Sequence, residues 1–121
     1  MYDHDELVQT VRIASRVTTS EATLRDLACD TRPAVLGAIV RNPSTPLDVI
    51  SNIFVQALVG GAEWWMVRAA FAGRRTMKSN ELFSLYALHE WPVTLVIIQH
   101  ANCPVSILED IAALPKKPYG F

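Results

Sequence analysis

The residues best suited to chemistry gather late in the chain, where His100, Ala101, Asn102 and Cys103 run consecutively into Pro104. A thiolate is favoured at a helix start, so Cys103 could act as a nucleophile. It would need a positioned base and an oxyanion site, and the sequence supplies no such set. Thr45 holds the matching place 58 residues earlier, as a helix-capping residue type, which explains Cys103 without catalysis. Cys29 and Cys103 form no CxxC pair, and His4, His89 and His100 show neither HExxH nor paired-ligand spacing. Gly60-Gly61 lacks the Lys-Ser/Thr of a phosphate loop. The expectation is no enzyme, no metal and no cofactor.

Binding residues stand out more clearly. Trp64 and Trp65 are adjacent, and neighbours on a helix point about 100° apart, so both cannot easily face inward. An exposed Trp is a typical hot spot. Arg16, Asn42, Arg74 and His100 recur after the first helix of successive units, with Arg41 and Arg75 beside them. Helix-end complementarity accounts for much of this column. Cations suit helix C-termini, while Glu21, Asp48, Glu81 and Glu109 fall near the starts of the second helices. That rule explains Arg74, Arg75 and Lys78 least, with Arg68 on the preceding helix. The residues expected to meet a partner are therefore Trp64, Trp65, Arg68, Arg74, Arg75 and Lys78, with Tyr119 and Phe121 of the tail as outsiders.

The elements that must position these residues come from a repeat. Ile50 and Leu108 are 58 apart, and at the same offset Pro46 meets Pro104, Ile39 meets Ile97 and Val35 meets Val93. Intermediate copies lie 26 residues before each, with six residues inserted in the middle interval of 32. The columns read Ile13, Ile39, Phe71, Ile97; Leu24, Ile50, Leu82, Leu108; and Leu27, Ile53, Leu85, Ile111. The last two are three residues apart, on one helical face. Four helix–corner–helix units follow, about 3–29, 30–61, 62–88 and 89–114, with a tail at 115–121 whose prolines argue against helix. The run Val93 to Gln99 prefers strand by intrinsic propensity, but its register opposite Val35 to Arg41 predicts helix.

Asn42-Pro43-Ser44-Thr45-Pro46, followed by Leu47, Ile50 and Ile53, resembles the bacterial variant leucine-rich repeat. Ala101-Asn102-Cys103-Pro104 repeats the figure. The resemblance implies an all-α, short right-handed α-solenoid of about four helix–turn–helix repeats, related in shape to HEAT repeats. It specifies a scaffold rather than an activity. Some members carry a cysteine-ligated iron–sulfur module, and this chain has no cysteine cluster for one.

Composition narrows the rest. A chain of 121 residues, half hydrophobic, is one domain able to bury a core without staples. A net charge of −1 gives no global drive toward nucleic acid or anionic membrane. The N-terminus is acidic where a signal peptide is basic, and Ile53 to Val59 is too short to span a bilayer, so the expected place is the cytoplasm. That same apolar run, through Phe54, Val55 and Leu58, is either mid-core or a self-association surface for a homodimer. The function expected is a non-enzymatic protein-binding module, an adaptor or an inhibitor of a larger protein. Nucleic-acid binding along the arginine edge is the competing reading.

Overall fold

Local rules set most helix boundaries. Pro33 and Pro92 stand in the first turns of their helices, where a missing N–H costs nothing. Ser20 caps its helix by accepting from Thr23 N at 3.2 Å. Pro43 follows the helix that ends at Arg41. In the computed structural model, which describes residues 4–114, these signals yield eight α-helices and no strand among the described residues. They are α1 (His4–Ser15), α2 (Glu21–Leu27), α3 (Pro33–Arg41), α4 (Leu47–Val59), α5 (Trp65–Ala72), α6 (Ser79–Tyr86), α7 (Trp91–Ile97) and α8 (Val105–Ala112), with a 3-10 turn at Ala62–Trp64 before α5. None is long and apolar enough to cross a membrane. The tail residues Tyr119 and Phe121 lie outside the described residues.

The odd-numbered helices pack in chain order, α1 on α3, α3 on α5 and α5 on α7. Helices α2, α4 and α6 each touch the odd helix before and the one after. The core lies between these two sets. Val35, Ile39, Val67, Phe71, Val93 and Ile97 are buried on the odd helices, and Leu24, Ile53, Leu82 and Leu85 face them. Phe54 and Phe71 meet edge to face at 5.0 Å, seating α4 on α5.

Helix α7 forms despite its β-branched run. Its four β-branched residues cost about 0.5 kcal/mol each against good helix formers. Full burial of Val93 and Ile97 stabilises by about 1.5–3 kcal/mol each, which outweighs that cost.

Several sequence expectations need correction. Thr45 does not cap α4: its hydroxyl donates back to Ile39 O at 2.7 Å, and Pro46 occupies the cap position. Proline supplies no side-chain acceptor there, and α4 begins at Leu47. In α8 the register slips by one, so that Ile107 is buried and Leu108 is exposed. In α1 the buried residue is Ala14, one place after the exposed Ile13. Helix α4 is apolar all round yet not buried all round. Phe54 and Leu58 turn into the core, while Val55 and Val59 remain in solvent. The suggested self-association face thus keeps Val55, while Phe54, against Phe71 of α5, and Leu58 pack partly buried on the core.

Candidate functional site: a groove across three helices

The polar column after the odd helices is mostly a ladder between corners. Asn42 is buried, and its Nδ2 donates to Ala14 O and Arg16 O, both at 2.8 Å. Its Oδ1 accepts from Ser44 N at 2.9 Å. One unit on, Arg74 donates through Nη1 to Val40 O. One further on, His100 Nε2 lies 2.6 Å from Arg74 O. Asn42, Arg74 and His100 therefore each bond carbonyls at the preceding corner; the Ala14 and Val40 oxygens are helix-end carbonyls, while those of Arg16 and Arg74 also accept from Thr19 N and Met77 N. Arg74 Nη1 also reaches Asn42 O at 3.5 Å, so the bonds within the column, Asn42 to Arg16, Arg74 to Asn42 and His100 to Arg74, span 26, 32 and 26 residues, the intervals read from the sequence. Sequence reasoning placed these residues at helix C-termini and assigned them to their own helix ends; the carbonyls they meet belong to the neighbour.

Arg68, expected on the partner surface, is 3% exposed. A guanidinium has five N–H donors, and here every one finds an acceptor. Nε and Nη2 grip the Glu90 carboxylate, Nη1 donates to Ala57 O and Gly60 O, and Nη2 also donates to Gly61 O. The inserted segment at the end of α4 leaves the Ala57 and Gly60 carbonyls without helical partners, and Arg68 supplies them, while Gly61 O also accepts from Trp64 N. A signal for this existed: the repeat intervals align Arg68 with Leu36 and Thr94, both buried.

The tryptophans divide as helix geometry requires. Trp64 is half-buried against the core and lies so close to Gly60 that a Cβ there would meet its ring at 2.6 Å. Trp65 is 45% exposed, as is Trp91 at 39%, and the two hold equivalent places on α5 and α7.

What remains on the surface frames a groove. An open cavity of about 720 Å³ runs over α5 between α3 and α7. Ala69, Ala70, Gly73 and Val96 form its apolar floor, and Pro43 closes one side. Arg41, Arg74 and Arg75 stand at the corner end. No Asp or Glu lines it. Arg74 is half-buried, and burial pushes its guanidinium below the usual arginine value because the charged form loses water. Arg41 and Arg75 are exposed and enter no ion pair among the described residues. By contrast Arg25, Arg32 and Arg68 each hold a carboxylate. On α5, Met66, Ala69 and Gly73 share one side at helical spacing, so the groove grades from basic at the corner to apolar toward the helix starts. Of the expected binding residues, Arg74 and Arg75 line the groove; Trp65 does not line it but is exposed on α5, four residues before Ala69, and Lys78 is exposed at the start of α6. Trp64 and Arg68 do not reach it.

The thiol site does not assemble. Burial raises the Cys103 thiol above the ordinary cysteine value, and its Sγ lies 3.6 Å from Pro104 O. Both nitrogens of His100 are engaged, Nδ1 accepting from Asn102 N at 2.9 Å and Nε2 meeting Arg74 O. No group of three metal-ligating side chains occurs among the described residues. No family model matches this chain, and comparison with curated proteins and with solved structures finds no significant match.

Proposed function

We propose that the chain is a non-enzymatic protein-binding module of the helical-repeat kind, working in the cytoplasm as an adaptor or as an inhibitor that masks a larger protein. In this reading the helices form a short right-handed α-solenoid of about four helix–turn–helix repeats, similar to the variant leucine-rich repeat. Support comes from the succession α1, α3, α5, α7 and from corner hydrogen bonds at the repeat intervals. The single observation that carries the function is the groove across α3, α5 and α7, with an apolar floor and arginines at its corner end; Trp65 is exposed one helical turn before Ala69 of that floor. A small apolar cleft with a few placed charges suits a peptide segment better than a reaction.

Nucleic-acid binding is the weaker alternative. Of the column itself, Asn42, Arg74 and His100 are engaged by corner carbonyls, which leaves Arg16 as the exposed cation of the column, with Arg41, Arg75 and Lys78 beside it, a short set rather than a phosphate track. The experiment is a selection of displayed random peptides on the full chain, with the winners rebound to Trp65→Ala and Arg75→Glu variants. Loss of binding in both supports the reading. Winners that ignore both substitutions, or oligonucleotides that bind tightly with steep salt dependence where no peptide does, would overturn it.

A further inference from the structure

The groove is specific enough to say what enters it. We propose that its occupant is a short acidic segment of the partner protein, lying extended across α3, α5 and α7, with carboxylates at the Arg41–Arg75 corner and an aliphatic side chain on Ala69 and Val96. This deepens the protein-binding reading and rests on it.

Charge complementarity argues for the carboxylates. Among the described residues Arg25, Arg32 and Arg68 hold carboxylates, whereas Arg41, Arg74 and Arg75, three arginines gathered at one groove, pair with none and no described acidic side chain lines it. Arg74 is fixed in place by Val40 O and stripped of part of its water, so a carboxylate arriving beside it relieves an existing cost. Arg41 and Arg75 are free to close on an anion in bidentate fashion.

The floor argues for a peptide rather than a bare anion or a nucleic acid. Small side chains and Gly73 leave room for a main chain to approach the helix layer; the side-chain donors of the lining are Thr76 and the arginines, so the apolar floor of Ala69, Ala70, Gly73 and Val96 offers phosphate nothing. Helices pack about 9 Å apart, so crossing from α3 to α7 covers roughly 18 Å. An extended chain rises about 3.3 Å per residue, which gives five or six residues. An acidic pair near one end and a bulky aliphatic about two residues on would match both halves of the groove.

The test uses three pools of capped hexapeptides on the full chain. One carries Asp or Glu at its first two positions and aliphatics beyond, the second Asn or Gln in those places, the third Lys or Arg. Binding is read by amide and arginine side-chain NMR shifts and by titration. The acidic pool should bind about ten- to a hundredfold more tightly than the amide pool, the range for one charge-assisted hydrogen bond. Shifts should cluster at Ala69, Gly73, Val96 and the Arg41 and Arg75 side chains. Arg41→Glu and Arg75→Glu, both at exposed positions, should each lose at least tenfold with unchanged helical content. Equal binding of the acidic and amide pools, preference for the basic pool, or no binding by any pool would overturn the acidic assignment. If the amide or basic pool binds with the same groove shifts, the protein-binding reading survives. If oligonucleotides alone perturb Arg41 and Arg75, both fail.

Discussion

Replacing Asn42 by alanine should be among the costliest changes to any polar residue of this chain. Its side chain makes three hydrogen bonds, two donated to the carbonyls of Ala14 and Arg16 and one accepted from Ser44 N. Each contributes about 1 kcal/mol net, and the Ala14 carbonyl is left buried without this donor, so the loss should be about 3 kcal/mol. For a domain of this size that lowers the melting midpoint by roughly 10 °C. Asn42→Asp should be worse by at least about 1 kcal/mol, because a carboxylate oxygen then faces two carbonyl oxygens in a site shut off from water. Asn102→Ala is the internal control. Asn102 is exposed and donates once, to Met77 O at 2.9 Å, so its loss should cost about 1 kcal/mol or less. Urea unfolding followed by far-UV circular dichroism and by Trp fluorescence measures all three, and coincident curves check that the transition is two-state. Equal small costs for Asn42→Ala and Asn102→Ala, or an aspartate no worse than alanine, would refute the corner ladder.

Arg68→Met should destabilise by about 3–5 kcal/mol, since it strands the Glu90 carboxylate and the Ala57 and Gly60 carbonyls at the end of α4; a urea titration showing under about 1 kcal/mol would contradict this. Arg32 holds the Glu6 and Asp30 carboxyls below their ordinary values of 4.5 and 3.8, so their contribution is complete above those values and is lost as pH falls through the lower folded ones. Stability measured against pH should therefore decline on the acid side below about pH 4.5, and Arg32→Gln should flatten that decline. Cys103 should react with a thiol probe at neutral pH more slowly than free cysteine, and more slowly than the exposed Cys29, as single-cysteine variants compared by stopped-flow would show.

The positions of helices and corners were legible because they follow from nearby residues. Pro33, Pro92 and Ser20 mark starts, Pro43 and Gly73 mark ends, and the apolar columns lie at helical spacing. Even α7, where propensity pointed to strand, was recoverable from its register opposite α3. The candidate site was legible in part: Arg74 and Arg75 line the groove, Arg41 beside the column joins them, and Trp65 is exposed on the same helix as the floor without lining it. Arg68 was misplaced because charge was weighed above the repeat register, which set it among the buried Leu36 and Thr94.

Residue type and spacing within a dozen positions thus determined which segments coil and where they stop, since backbone hydrogen bonds and caps are local. What holds the inward polar side chains was decided by the tertiary structure alone. Asn42, Arg68 and Arg74 are held by carbonyls or carboxylates that arrive only when helices far apart in the chain come to lie side by side. A buried polar group is tolerated only with its partner in place, and no local rule reveals that partner.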